Sequence, residues 1–580
     1  MEKRWNIIAA ADEQKIKALS AELNNLDLTL TNILIQRGVD TFDKAKSFFR
    51  PSLNELHDPF LIKDMDKAVE RLKAAVDKGE KILIYGDYDV DGTTSVALVY
   101  SFLKNIHNQL DYYIPNRYTE GYGISIQGID YAKENDISLI IALDCGIKAI
   151  DKVAYANELD IDFIICDHHN PGPEIPDAAA VLDPKRKDCS YPFKELSGCG
   201  VGYKLMNAYA IKYDLGYDNL LDKLDYLAVS IAADIVPIVG ENRILAYYGL
   251  KKFNQFPQLA FNAMLQTAGL KEKTGITKNP SPLTITDLVF KIAPKINAAG
   301  RMKSGKEAVD LLLAKNVEDA MNSSTLINDY NIDRKVEDQK ITSEVLSIIA
   351  NDKKLLKQKT TVLYHKDWHK GVLGIVASRC IETYYRPTII LTESNGKASG
   401  SARSVKGFNI YEALEQCEDL LEQFGGHKYA AGMSLKIENI PAFQKRFEEV
   451  VSNSIPEELL TPEILIDSEL PLNSINEKFY GVLKQLAPFG PGNMTPVFLS
   501  SNLKVEGNAR LLKDKHLSFY VVDANDPQFK FKTIGFNLKD KYDIINRGNT
   551  FKMTYCIDTN YWNGKTTLQL RIKDIKAMEN

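Results

Sequence analysis

The 580-residue chain has no unbroken apolar run of about 18 residues, so no membrane-spanning helix is expected. Its start, MEKRWNIIAAADEQ, holds no signal-peptide hydrophobic region before charges return. None of the seven cysteines (Cys145, Cys166, Cys189, Cys199, Cys380, Cys417, Cys556) forms a CxxC pair, which argues against a thiolate zinc site. Four of them lie in apolar or Gly-rich runs and read as small core residues, with a reducing cytoplasm as the expected setting. No internal repeat or low-complexity tract stands out. A strong positive charge is missing too: the net charge is −5 and the pI about 6.0, unlike a general nucleic-acid coat protein. That deficit is uneven. Residues 501–580 carry fourteen Lys and Arg against nine Asp and Glu, a basic end on an acidic body that is compatible with nucleic-acid binding.

What is present is an ordinary globular composition, 44% hydrophobic and 26% charged, with material for roughly 3 to 5 domains. From about residue 60 to 235 helical and strand-like segments alternate. The helix MDKAVERLKAAVDKG stops at a glycine; the strand KILIYG, a helix from about Thr94 to Asn105, and the strands LDYYIP, SLIIALD and DFIICD follow with helices between. This rhythm predicts a doubly wound parallel sheet, with ligands beyond the carboxyl ends of its strands. The stretch 306–354 has neither Pro nor Gly and reads as one or two long connector helices. Strand–helix–strand then resumes as a second α/β domain. From about 456 the pattern turns to short strands, PVFLSS, LSFYVVDA, FKFKTIGF, FKMTYCID and TTLQLRIKDI, as in a small β-barrel. The expected divisions are 1–60, 61–304, 305–357, 358–455 and 456–580.

Three strands of the first domain end in acidic groups. KILIYG runs into Asp87, Asp89 and Asp91, IIALDCG into Asp144, and FIICDHHN into Asp167, His168 and His169. A fourth segment, VSIAADIVPIVGENR, sets Asp234 between apolar residues before a turn. Single strand-end aspartates often cap the next helix. Four such clusters and a His pair at one sheet edge are hard to explain as caps. Crowded carboxylates at the end of a buried strand repel one another and lose hydration, so a cation belongs among them. Carboxylates suit magnesium or manganese, and an imidazole moves the preference toward manganese, iron or zinc. Several carboxylates can hold two divalent ions about 3.5–4 Å apart with one Asp bridging, a pair that activates water in phosphoester hydrolysis. Gly92 lets the chain turn close to such a site.

Together GDYDVDG, LDCG, DHH and AADIVP resemble the DHH phosphoesterase superfamily. The resemblance narrows to the RecJ single-strand-specific exonucleases through IPNRYTEGYGI (114–124), PKINAAGRM (294–302), WHKGVLGIVASR (368–379), GSARSVKGFNI (400–410), FGGHKYAAGM (424–433) and PFGPGNMTPVF (488–498). It implies an α/β multidomain fold: a parallel-sheet DHH domain, a long connector helix, an α/β DHHA1 domain and a C-terminal OB-like barrel. It also implies roles. Asp89 and Asp91 each bind one metal, Asp144 bridges both, and His168 and Asp234 complete the second site. Asp167 and His169 orient ligands and polarise water, and Asp87 is counted with the catalytic groups. Relatives in the wider superfamily use an upstream histidine for the first metal; here that position falls in the apolar KILIYG, so a weaker first site is expected. Gly425 and Gly426 bring backbone amides toward a phosphate that His427 touches. Arg117, Arg301, Ser401 and Arg403 recognise phosphate at the 5′ end, with Asn297 among the substrate-binding groups.

The activity so implied is 5′→3′ degradation of single-stranded DNA to nucleoside 5′-monophosphates, dependent on two divalent ions, manganese ahead of magnesium. It would serve DNA repair and recombination. Chemistry is expected in a cleft between the DHH and DHHA1 domains, narrow enough to exclude duplex. The expected partners are single-stranded DNA and, from the family, a single-strand-binding protein and a helicase; no membrane is involved and a monomer is the default. A small-nucleotide phosphodiesterase and an inactive DNA-binding scaffold are the rivals. His365 and His369 lie in a strand-to-helix loop and are not read as a metal pair, while Trp368 is read as packing between domains. Of Phe519, Tyr520, Phe531, Phe536 and Tyr555, interleaved with Lys513, Lys515, Lys530 and Lys532, at most two are expected to face DNA.

Overall fold

The strand Lys81–Gly86 is buried at every residue but its first, the pattern of a parallel strand covered on both faces. It lies second in a wholly parallel sheet ordered Leu110–Tyr113, Lys81–Gly86, Ile137–Leu143, Asp162–Cys166, Ala180–Leu182. Alternate residues feed two cores, as the period of a strand requires. Ile82, Ile84, Leu139, Ile141 and Ile164 pack on one side, and Leu83, Tyr85, Ile140, Ala142 and Phe163 on the other. The chain order across the sheet, 2-1-3-4-5, reverses at the first strand, and doubly wound sheets bind ligands at that reversal. Asp87 to Asp91 leave the first strand and Asp144 leaves the third, so the acidic residues flank the reversal point.

In this computed structural model, which describes residues 1–271, 282–546, 548–562 and 565–578, the chain forms two units. One comprises Lys46–Arg334 and Ala487–Met494. The later segment, inside the PFGPGN motif, joins it through Ile238 N–H to the Pro491 carbonyl (2.7 Å) and the Arg243 guanidinium to the Ala487 and Pro488 carbonyls. The connector stretch is two helices, Gly305–Leu312 and the 35-residue Val317–Asn351.

The other unit holds a mixed sheet ordered Gln423–His427, Ala430–Leu435, Lys397–Arg403, Thr388–Ser394, Thr361–Tyr364, parallel only in its last pair. Trp368 is buried in a cluster with Ile341, Val345 and Ile349 of the long helix, and its indole N–H donates to Glu344 (2.9 Å). His365 stacks on Trp368, and His369 accepts from Gly371 N–H. The C-terminal strands close a five-stranded barrel, because Phe498–Leu512 pairs with both His516–Asp523 and Phe551–Trp562. Phe519 and Tyr555 are buried in it, whereas Tyr520 and Phe536 are 44% and 56% exposed. The strand Arg4–Ile7 adds to Glu463–Ile466 in parallel register. All seven cysteines are buried and unpaired.

Candidate active site

The run from Asp87 to Asp91 does not continue the strand. A helix begins at Val90, four residues before the expected Thr94, and Asp89 is its N-cap, accepting Gly92 N–H at 3.1 Å. Gly92 therefore sits in the first helical turn rather than in a loop. A Cβ there would lie 2.4 Å from the Asp87 carbonyl oxygen and 2.6 Å from its nitrogen, so only glycine lets the helix close on the strand end. Asp91, in that first turn, is held by three donors: Gly198 N–H (2.7 Å), Cys199 N–H (2.9 Å) and the Ser230 hydroxyl (2.7 Å). The two amides belong to the first turn of the helix Gly198–Lys212, where amides are free of intrahelical partners and favour an anion. Asp234 does not end a strand. It caps the carboxyl end of the helix Leu224–Ala233, with its side chain 29% exposed.

These elements converge on His168. Its Nε2 lies 3.2 Å from Asp144, 3.6 Å from Asp234 and 3.8 Å from Asp91, measured to carboxylate oxygens. The residue is 5% exposed, and neither ring nitrogen has a hydrogen-bond partner among the described residues. Burial lowers its pKa, which keeps the imidazole neutral. The carboxylates move the other way. Burial and then the charge of Asp91 raise Asp144 well above the usual range, with Asp89 and Asp234 adding to it. Burial and Asp91 do the same to Asp234, and burial and Asp89 to Asp87, while burial and Asp91 also raise Asp89. An imidazole with no hydrogen-bond partner among the described residues, ringed by carboxylates that oppose one another's ionisation, is a donor set suited to a cation. Asp91, His168 and Asp234 form one group able to hold a metal ion, and Asp144, His168 and His169 a second. Hard oxygens with one or two imidazoles fit manganese or magnesium.

Around this centre, Asp167 is fully enclosed. It accepts His168 N–H, His169 N–H and Ile147 N–H, and pairs with His169 Nδ1 at 2.7 Å. That pairing depresses the Asp167 pKa against its burial and raises His169 to about 9. The other His169 nitrogen lies 3.2 Å from the Tyr122 hydroxyl, which donates to the Asp144 carbonyl. Asp87 is fully buried in the turn, near Gly123 N–H (3.4 Å), with one oxygen unpartnered; it is not in either metal-binding group. Arg117 lies over the Tyr88 ring at 5.0 Å, and Arg301 acts electrostatically on the same tyrosine. Asn297 and Arg301 share the helix Ala293–Met302, which approaches so closely that a Cβ at Gly300 would come within 2.8 Å of the Tyr88 carbonyl.

The second unit gathers the remaining residues on one sheet. Ala430 is in register with both His427 and Arg403, and Gly432 with both Gly425 and Ser401. Arg403 donates to the Ser401 hydroxyl at 2.8 Å, and a Cβ at Gly374 would lie 2.6 Å from the guanidinium. Gly425, Gly426 and His427 form an exposed edge strand rather than a tight turn. Tyr122, Ser230 and Gly198 escape a reading of the sequence. Tyr122 stands inside a quoted motif without a role; nothing local marks Ser230 or Gly198, which act through residues more than 50 positions away.

A buried parallel sheet whose acidic strand ends and histidine could hold divalent cations defines a phosphoesterase-type site. Residues 81–231 match the DHH family N-terminal domain, 357–453 the DHHA1 domain and 466–574 the RecJ OB domain. The chain is 36% identical over 579 residues to the single-stranded-DNA-specific exonuclease RecJ of Bacillus subtilis, covering 99% of this chain and 71% of that one. With the enzyme of the same name from Salmonella typhimurium it shares 33% over 537 residues, 88% of this chain and 90% of the relative. Its fold superposes on the crystal structure of RecJ in complex with Mn2+ from Thermus thermophilus with a TM-score of 0.82 at 26% identity, over 100% of this chain and 80% of that one. The chain belongs to the RecJ family.

Proposed function

We propose that this protein is a metal-dependent 5′→3′ exonuclease that degrades single-stranded DNA to nucleoside 5′-monophosphates in DNA repair and recombination. The observation that carries the reading is the buried, unpartnered His168 within 3.2–3.8 Å of three carboxylates, in a chain whose relatives are single-stranded-DNA-specific exonucleases. Asp91, Asp144, His168 and Asp234 would hold the ions, with Asp89 toward the first and Asp144 shared. A pair of divalent ions supplies a water made nucleophilic at neutral pH and positive charge for the leaving oxygen. Three donors fix the orientation of the Asp91 carboxylate. Asp167 fixes the His169 ring and its proton on Nδ1, and the Tyr122 hydroxyl braces His169 against the Asp144 backbone. Arg117 and Arg301 would bind phosphate oxygens beside Tyr88, as would Ser401, Arg403, the Gly425–Gly426 amides and His427 on the second sheet. Arginine suits this through its permanently charged fork. Tyr520 and Phe536 would stack bases on the barrel.

A monomer in the cytoplasm, with a single-strand-binding protein and a helicase as pathway partners, completes the reading. Its test uses one oligonucleotide labelled at either end, under manganese, beside a matched duplex and Asp144→Ala. Immediate release of the 5′-terminal mononucleotide, sparing of duplex and loss in the variant are expected. Cleavage from the 3′ end, or of dinucleotides alone, defeats the proposal.

A further inference from the structure

The metal centre adjoins an open depression of about 700 Å³ that the roles above leave unused. Its wall begins at Asn170, directly after His169, and continues through Lys185, Lys187 and Lys194, with Glu195 as its one acidic residue. The loop that carries these lysines is rigid at its root. The Arg186 guanidinium is bound to Asp64 and Asp188 at 2.7–2.9 Å and to the Val181 carbonyl, so its charge is spent inside the fold. Lys194 is directed onto the Cys189 carbonyl at 2.7 Å. Lys185 and Lys187 are different. Lys187 is exposed and has no ion pair among the described residues, and Lys185 has only a long 3.8 Å approach to Glu195. The charge of Lys185 reaches the catalytic centre, acting on both His168 and Asp234.

The setting gives these two cations a purpose. Residues 46–334 carry 33 Lys and Arg against 40 Asp and Glu, so this unit as a whole repels a polyanion. Lys185 and Lys187, beside the carboxylate centre, set positive charge against that field. Concave shape, two weakly satisfied ammonium groups and an Asn side chain suit a phosphate group, and lysine binds phosphate as a mobile point charge. We propose that the Asn170–Lys185–Lys187 depression is a phosphate subsite next to the catalytic centre. It takes either a backbone phosphate of the bound strand or the phosphate of a released nucleoside monophosphate. The inference deepens the nuclease reading and rests on it for the identity of the ligand.

The test compares the full chain with Lys185→Gln/Lys187→Gln and the charge-keeping Lys185→Arg/Lys187→Arg, after circular dichroism establishes that each is folded. All binding is measured in EDTA, so that nothing is hydrolysed. Anisotropy of a labelled single-stranded oligonucleotide is followed against salt, and thymidine 5′-monophosphate binding by calorimetry. For a strand phosphate, the Gln variant loses about 0.7 from the slope of log K on log[salt] per contact, which is about fivefold in affinity at 0.1 M salt. The Arg variant retains both. For a released monophosphate, calorimetric binding is lost in the Gln variant while the slope holds. If folded Gln protein matches wild type in both arms, the subsite does not exist. The nuclease reading fails separately, when wild type under manganese leaves single-stranded DNA uncut, an outcome the EDTA measurements do not depend on.

Discussion

Replacing Gly198 by alanine should disable the site while leaving the protein folded. The added Cβ would stand 2.6 Å from Asp144 Cβ, 2.8 Å from its Oδ1 and 2.9 Å from its Cα. Ordinary carbon contacts need about 3.5 Å or more, so Asp144, backbone included, must retreat by roughly 0.6–0.9 Å. Displacement of a reacting geometry by about 1 Å costs on the order of 10²-fold in rate. The backbone N–H that Gly198 donates to Asp91 survives in alanine, and Gly198 is not at a positive φ, so the effect is steric and aimed at Asp144. Overpacking costs about 1–3 kcal/mol, offset by up to about 1 kcal/mol of helix propensity gained over glycine. Gly202→Ala is the control from the same helix: its Cβ meets only Leu143 and Val99 side chains, both at 3.2 Å. The assay is mononucleotide release from single-stranded DNA under saturating manganese, with oligonucleotide affinity in EDTA and Tm measured alongside. Gly198→Ala should lose about 100-fold in kcat with affinity intact, and Gly202→Ala less than threefold. A folded Gly198→Ala enzyme within threefold of wild type would refute the reasoning.

Ser230→Ala removes one of three donors to Asp91 and should weaken manganese activation about 10–100-fold; a metal titration of the rate reads this, and an unchanged half-saturation counts against it. In metal-free protein the His169–Asp167 pair should tie stability to pH. His169 is raised to about 9 from 6.5, so its contribution, at most about 3 kcal/mol, is complete below pH 6.5 and disappears as pH rises through 9. The Tm gap between wild type and His169→Gln should close across that window, and a gap that is flat with pH opposes the pairing. Manganese at 100 times its Kd should raise the stability of wild type by about 2.7 kcal/mol, seen as a Tm increase that EDTA reverses and an Asp91→Asn/Asp144→Asn double variant lacks. On the barrel, Tyr520→Ala and Phe536→Ala should each weaken single-strand binding by about 1–3 kcal/mol if they stack bases; wild-type affinity in both removes the barrel's aromatics from the account.

The three central strands of the first domain are legible in the sequence because each is a buried run of the length that a parallel sheet demands, and KILIYG matches its strand residue for residue, whereas the three-residue Ala180–Leu182 at the sheet edge is too short to stand out. The acidic edge is legible for the same reason, since Asp144 and Asp167 directly follow strand ends. Where local pattern misleads, the cause is a contact distant in sequence or a backbone approach that no pattern shows. The Val90 helix starts four residues ahead of its expected place because Asp-Val-Asp-Gly looks like a loop until its glycine is seen pressed on the Asp87 backbone. Asp234 sits in an apolar run that suits a strand, but its segment packs as a helix against the Val90 and Gly198 helices. Of the five barrel aromatics, at most two of which are expected to face DNA, Tyr520 and Phe536 are the strongly exposed pair. Periodicity cannot single them out, because the barrel's closure decides which face is inside.

The claim on which everything else rests is that Asp89, Asp91, Asp144, His168 and Asp234 hold two divalent ions. Electron paramagnetic resonance of the purified chain titrated with manganese tests it most directly. The account predicts two bound ions per chain, the first held more weakly than the second, coupled through a shared Asp144, with coupling lost in Asp144→Asn and the second ion lost in His168→Ala. A wild-type chain that binds no more manganese than an Asp91→Asn/Asp144→Asn double variant would contradict it.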